Sequence, residues 1–294
     1  SIVPRDYPHA QRNVKDIDSA TFNDIIDRFP CAATVQIIGS GEPMLNKDFF
    51  RMVEYAARKG MTVKTFSNGT TVADNIDAIL ASRLDGITIS INGHCAGEFS
   101  RMTGMDEAQY GKIYDGVKRL VEARDRAGSR VRVKLSFIID KINYRHIPEM
   151  VDVGVKLGVD HMFFCNFLAT PCDGLRAEER IITSEPALCA ELREMFGRYE
   201  PAIRKKLTPP VPVALGSRTD ACDAHFTQIR FDGDGNISSC SMMLLNMTGN
   251  GRYTDPDVWN NDFFRTMRRM FLSGGGERLP DPCRWCPENA GVGL

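Results

Sequence analysis

Four cysteines carry the plainest chemistry in this chain. Cys222 and Cys240 frame a segment that reads as a β-hairpin, and Cys283 and Cys286 form a C-x-x-C knuckle flanked by Pro282 and Pro287. The hairpin arms bring the first two together, so the four thiols make a tetrathiolate site for zinc or an iron–sulfur cluster. The competing reading is that some of these are buried core cysteines; the placement of all four around turn chemistry argues against it. The remaining cysteines, Cys31, Cys95, Cys165, Cys172 and Cys189, show no ligand spacing.

A second stretch is Gln36–Leu45, QIIGSGEPML. Val35, Ile37 and Ile38 fit a buried parallel strand. Gly39 and Gly41 permit a close backbone approach, and Pro43 stops the ladder. Glu42 is thereby left at the carboxyl end of a strand, where α/β folds place their sites. Alone, G-x-G-E-P is only a turn with an acidic residue, so the elements around it must decide.

Those elements alternate. Phe22, Ile25, Ile26 and Phe29 recur at helical spacing after Ser19, and Pro30 ends the run. Helices are expected at Asp48–Lys59, Asn75–Ala81, Glu107–Ala127 and Ile147–Leu157, and strands at Met61–Phe66, Gly86–Ile91, Val131–Ile139 and His161–Leu168. Five βα-type units with short connections mean a parallel sheet covered by helices. A dinucleotide-binding sheet lacks its fingerprint here, because no G-x-G-x-x-G opens a helix after the first strand. After Leu168 come a loop, a helix over Pro186–Lys206, a proline-rich stretch at Thr208–Leu215, a hairpin at Ala224–Ser239 turning at Asp232–Gly235, and a helix at Val258–Phe271. The expected divisions are 1–170, 171–218 and 219–294.

Composition sets bounds. The chain has 294 residues, 43% hydrophobic and 26% charged, with a formal net charge of -1. That balance argues against binding nucleic acid through its phosphates. No apolar run is long enough to span a bilayer. Nine cysteines, an odd count with one C-x-x-C, fit a reducing, cytoplasmic compartment and metal binding better than a disulfide scaffold.

Taken in order, GSGEP at 39–43, Ser67-Asn68-Gly69 at a strand end, and ISING followed by the R-x-x-G of Arg101–Gly104 resemble the radical S-adenosylmethionine (SAM) enzymes. The resemblance implies a partial (β/α)6 TIM-like barrel whose first strand is missing from this chain. Cys222, Gly235, Cys240, Gly249-Asn250-Gly251, Trp259-Asn260 and P-x-C-x-x-C resemble that family's SPASM/twitch extension. A full SPASM domain would carry another cysteine where Val292 stands. The resemblance is therefore to the twitch arrangement of 2-deoxy-scyllo-inosamine dehydrogenase, with one auxiliary [4Fe-4S] cluster on Cys222, Cys240, Cys283 and Cys286; two auxiliary clusters dividing these cysteines are the alternative if the C-terminus is cut. The resemblance also implies that Gly41, Glu42 and Pro43 meet the ammonium of SAM, mainly through backbone carbonyls. Ser67, Asn68, Ser90, Asn92 and Arg101 would stand near its carboxylate and ribose. Acceptors for an ammonium and a guanidinium for a carboxylate suit a zwitterion.

One departure is large. The family's C-x3-C-x2-C triplet occurs nowhere in this sequence. The ligands of the radical SAM [4Fe-4S] cluster are expected N-terminal to Ser1; a cluster-less relative is the alternative. The implied activity is an oxidoreductase acting on a small hydroxylated molecule or a peptide, with flavodoxin or ferredoxin as electron donor. Two alternatives stand beside it: an epimerase with a thiol hydrogen donor, and a non-catalytic barrel with a structural zinc site. Cys95 and Cys165 are the candidate donors. Cys165 alternates with Asn166 along one strand. A polar Asn166 facing the cleft would turn Cys165 outward into the core, and that orientation is the expected one.

Overall fold

The computed structural model describes residues 15–39, 41–167, 186–210, 222–240, 250–273 and 283. The chain forms two compact units. The first comprises Phe22–Phe167 and Glu191–Pro210, and the second includes the described residues beyond Val211.

The first unit is a six-stranded sheet. Its strands are β1 (Thr34–Ile37), β2 (Thr62–Ser67), β3 (Gly86–Ser90), β4 (Arg132–Ile139), β5 (His161–Asn166) and β6 (Leu207–Thr208), paired in sequence order. Every pairing is parallel. Between the strands run α1 (Ser19–Arg28), α2 (Phe49–Arg58), α3 (Ile76–Ala81), α4 (Ala96–Thr103), α5 (Glu107–Ala127) and α6 (Ile147–Leu157), with α1 leading into β1. After β5 come α7 (Pro186–Gly197) and α8 (Pro201–Arg204). The order matches a partial TIM-like arrangement. The two-residue strand β6, at the sheet edge, supplies a sixth member that the alternation of apolar runs does not announce.

The longer helices form where an apolar stripe can be buried. Asp106 caps α5 by accepting from the Ala108 N–H at 2.7 Å. Gly128 and Gly158 end α5 and α6 in the left-handed conformation. The helices cover one face of the sheet. Val63, Ile87, Ile89, Val133, Leu135, Phe137, Ile139, Met162 and Phe164 are buried there. Phe137 stacks on Phe164 at 5.3 Å, and Phe196 of α7 meets Phe164 edge-on at 5.3 Å.

The register assigns the opposite face. Phe66 pairs with Thr88, Thr88 with Lys134, Ser90 with Ser136, Ser136 with Phe163, and Ile138 with Cys165. Phe66 and Cys165 are exposed. Asn166 continues the helix-covered set Met162, Phe164, Asn166 and is buried. The expected orientation is therefore reversed: Cys165 lies on the open face and Asn166 does not.

In the second unit, β7 (Arg230–Phe231) pairs antiparallel with β8 (Ile237–Ser238) across Asp232–Asn236. The first arm is not extended throughout, because Ala224–Thr227 closes a helical turn, α9, on the Asp223 carbonyl. The amphipathic α10 (Asp262–Leu272) buries Phe264, Met267 and Phe271. Asn261 caps it, accepting from the Phe264 N–H at 3.0 Å. Among the described residues no helix is long and apolar enough to cross a membrane.

Candidate functional site

The carboxyl ends of β1 to β4 carry the polar residues singled out by the sequence. Glu42 follows β1 in extended backbone and starts the 3₁₀ turn Pro43–Leu45. Its carboxylate is buried and turned toward β2. It accepts from Ser67 Oγ at 3.0 Å on each oxygen, the Asn68 N–H at 2.8 Å, Thr71 Oγ1 at 3.2 Å and the Met44 N–H at 3.4 Å. A buried carboxylate needs such partners, since the charge would otherwise be costly. The Glu42 side chain is thus committed to the protein, and what the turn can offer a ligand is backbone. A side chain at Gly41 would meet nothing within 4 Å, so the space beside this turn is open.

Ser67 and Asn68 belong to the same network. Ser67 Oγ also accepts from the Gly69 N–H at 2.9 Å, and Asn68 Oδ1 accepts from Thr70 Oγ1 at 2.6 Å. Ser90 stands half-buried at the end of β3 on the open face. Asn92 adopts a left-handed φ of 49°, a conformation that asparagine tolerates better than most residues. Its Oδ1 accepts from the Ile138 N–H at 3.1 Å, tying the end of β3 to β4. Arg101 of α4 donates from Nη1 to Asp140 Oδ2 at 3.0 Å, and its side chain keeps 33% of its surface exposed. Asp140 is buried and also accepts the Ile142 and Asn143 N–H groups.

The residues therefore fall into two hydrogen-bonded sets: Glu42 with Ser67 and Asn68 across β1 and β2, and Asn92 and Arg101 across β3 and β4. Thr71 and Asp140 were not singled out by the sequence. The strand-end Asp140, before the turn at Lys141–Asn143, was the available signal for one of them.

Lys64, Arg132 and Lys134 share the open face toward the amino ends of the strands. Burial and the charges of Lys64 and Arg132 push the Lys134 ammonium below the ordinary lysine range. Burial, with Lys134 nearby, pushes His161 below the usual histidine range. Cys95 caps the N-terminus of α4 and is exposed.

In the second unit, Cys283 is buried with Met267 and Phe271, and Cys222 and Cys240 pack against this nest. Three of the four thiols singled out are thus brought together; Cys286 lies outside the described residues. Polar groups surround the nest. Burial pushes the Arg230 guanidinium below its usual range, partly offset by the nearby Cys240. His225 is buried, with Nδ1 at 2.6 Å from Ser239 Oγ. His225 Nε2 and Arg230 Nε are buried without a partner among the described residues. Burial and the nearby Arg268 cation lower the His225 pKa to about 4. Converging thiols with unused nitrogen donors around them fit an anionic metal–thiolate group.

No family model matches the chain. Residues of this chain are 27% identical over 170 positions to the tungsten-containing aldehyde ferredoxin oxidoreductase cofactor-modifying protein of Pyrococcus furiosus, covering 54% of this chain and 46% of that protein. They are 25% identical over 150 positions to PqqA peptide cyclase of Gluconobacter oxydans, covering 50% and 40%. The chain spans about half the length, or less, of these curated relatives. Among solved structures, Streptococcus suis SuiB bound to S-adenosylmethionine superposes with a TM-score of 0.62 at 14% identity, over 94% of this chain and 66% of that one. Native anSMEcpe with bound AdoMet and Cp18Cys peptide gives 0.61 at 12% identity, over 92% and 78%. These similarities support a radical SAM-type enzyme. The solved structures carry the argument for the fold.

Proposed function

We propose that the chain is a radical SAM oxidoreductase of the twitch type. In this reading Gly41, Glu42 and Pro43 present backbone to the ammonium of SAM, and Ser67, Asn68, Ser90, Asn92 and Arg101 border its carboxylate and ribose. When bound, SAM and a radical SAM [4Fe-4S] cluster would supply a 5′-deoxyadenosyl radical to take a hydrogen atom from the substrate. Cys222, Cys240, Cys283 and Cys286 would hold an auxiliary [4Fe-4S] cluster that accepts the second electron. Reduction would come from a flavodoxin or ferredoxin. The observation that carries the reading is the convergence of Cys222, Cys240 and Cys283 in one nest, in a chain whose six parallel strands pair in sequence order.

The substrate is a peptide or a small hydroxylated molecule. PqqA peptide cyclase is named for a peptide, and SuiB has been solved with its precursor peptide SuiA, which favours the peptide. A second reading has its own observation. Cys165 lies on the open face of the sheet, where its thiol could return a hydrogen atom to a substrate radical in a redox-neutral epimerisation.

The test is anaerobic reconstitution with iron and sulfide. A brown chain with about four irons at the cysteine quartet is expected. A colourless chain that takes up zinc and no iron would instead support a structural four-cysteine site.

A further inference from the structure

Three side chains outside both networks converge beside α4. His94 Nδ1 lies 2.9 Å from Glu98 Oε2, and His146 Nδ1 lies 2.7 Å from Glu98 Oε1. The His94 N–H also donates to Oε2 at 3.0 Å. One ligand atom from each residue falls within 4.8 Å of the other two. Glu98 is buried at 8% exposure, while the His146 side chain is 45% exposed, which leaves one side of the group facing solvent.

The local chain is built to hold this arrangement. Asn92 turns the backbone with positive φ, and a side chain at Gly93 would stand 2.6 Å from the Phe99 backbone nitrogen. Only glycine lets the loop press against the start of α4, and it places His94 four residues from Glu98. Tyr110 fixes the His94 carbonyl with a 2.7 Å hydrogen bond. On the other side, the turn after β4 is locked by Asp140 and Asn143, and the His146 N–H donates to the Asn143 carbonyl at 2.8 Å.

Glu98 is a buried carboxylate, and among the described residues no lysine or arginine pairs with it. A buried negative charge calls for a positive complement. Two imidazole nitrogens and one carboxylate oxygen with an open side are the donor set of zinc sites that keep a free position, and more broadly of first-row divalent ions. Ligand bonds near 2.1 Å set tetrahedral donors about 3.4 Å apart. At present His94 and His146 reach different oxygens of Glu98, at 2.9 and 2.7 Å, and the three ligand atoms lie within 4.8 Å of one another, so small side-chain rotations would gather them around one ion.

We propose that His94, Glu98 and His146 bind one first-row divalent cation of the zinc type. The ion takes the Nδ1 lone pair of each ring, with the ring proton on Nε2, and a carboxylate oxygen of Glu98. It ties the loop after β3 to the turn after β4, the two segments that hold Asn92 and Asp140. The site uses no cysteine and does not depend on the function proposed above.

The test is zinc uptake by equilibrium dialysis, comparing wild type with Glu98→Gln, His146→Ala and His146→Asn. Asparagine keeps a hydrogen-bond donor for Glu98 while removing the ligand, so it separates loss of metal from loss of fold. Wild type is expected to bind one zinc per chain more than each variant. Cobalt added in place of zinc should give the same thiolate charge-transfer absorption in all four proteins, because the cysteines are untouched. Equal zinc uptake by wild type and by folded His146→Asn would overturn the proposal and leave the cluster as a carboxylate latched by two imidazoles.

Discussion

Ser67 Oγ donates to both oxygens of Glu42 at 3.0 Å, and this contact joins the turn after β1 to the end of β2. Glu42 collects donors only. Glu42→Gln would turn an amide N–H₂ toward hydroxyl and backbone N–H donors and strand at least one of them. We expect a loss of about 1–3 kcal/mol, the range for an unsatisfied buried group. Urea denaturation at neutral pH should show a lower midpoint with an unchanged slope. A variant as stable as wild type would mean that this network does not hold the turn.

Arg101 has two tasks in this reading, and they can be separated. Its ion pair with Asp140 stabilises a buried carboxylate, and its remaining donors would meet the carboxylate of SAM. Arg101→Ala should weaken SAM binding by about tenfold or more, since a lost charge-assisted contact costs at least about 1.4 kcal/mol. Isothermal calorimetry on cluster-loaded enzyme reads this directly. Asp140→Asn keeps the arginine and removes its partner's charge, so it should lower stability more than SAM affinity. Unchanged affinity in Arg101→Ala would remove the residue from the site.

The parallel order of β1 to β5 was legible because each strand is an apolar run closed by turn residues, and each helix shows a 3.6-residue stripe. The Glu42–Ser67 contact was legible only as a shared address at neighbouring strand ends. The phase of β5 was not legible. His161–Asn166 reads HMFFCN, with large side chains on both faces, so alternation alone leaves open which set the helices cover. The packing of Met162 and Phe164 under α6 and α7 settles it, and Asn166 follows them into the buried side. The turn at Ala224–Thr227 was missed for a different reason. His225 and Phe226 suit a strand, but the Asp223 carbonyl accepts the Phe226 and Thr227 N–H groups at 2.8 and 3.0 Å and closes a helix. The His94–Glu98–His146 group needs two segments about 50 residues apart, and only its i, i+4 half is visible in the sequence.

Cys283 lies in the nest of Met267 and Phe271, and Cys222 and Cys240, far earlier in the chain, pack against it. A metal–thiolate group there closes a long loop, and loop closure is where such bonds stabilise most. Cys283→Ser should lower iron content after reconstitution and raise hydrogen exchange along α10. Iron per chain equal to wild type would exclude Cys283 as a ligand.

His225 makes stability depend on pH. Its pKa in the fold is about 4, against 6.5 for an ordinary histidine. Above pH 6.5 the ring is neutral in both folded and unfolded chains and contributes no slope. As pH falls from 6.5 toward 4, the unfolded chain binds a proton that the fold refuses, so stability is lost. At pH 5 the loss from this group is about 2 kcal/mol. His225→Phe should remove that part of the pH dependence. Denaturation curves for wild type and variant at pH 7 and pH 5 check it, and parallel shifts in the two proteins would exclude His225 as the cause.

The orientation of Cys165 bears on the outcome of hydrogen abstraction. Asn92 accepts from the Ile138 N–H, and Ile138 pairs with Cys165, so the thiol lies in the strand row next to the Asn92 network. Oxidation requires no thiol at that place, because the second electron leaves through the auxiliary cluster. Epimerisation requires one, because the substrate radical must regain a hydrogen atom. Cys165→Ala and Cys95→Ala separate the two. Under oxidation, both variants should form product and 5′-deoxyadenosine in the wild-type ratio. Under epimerisation, Cys165→Ala should keep forming 5′-deoxyadenosine while product falls by at least about tenfold, the scale of one lost chemical step. The solvent isotope pattern gives an independent reading: in deuterated water a returning thiol places deuterium at the abstracted carbon, whereas oxidation leaves that carbon with one hydrogen fewer. The exposed position of Cys165 makes this variant the informative one, with Cys95→Ala as the matched loop control.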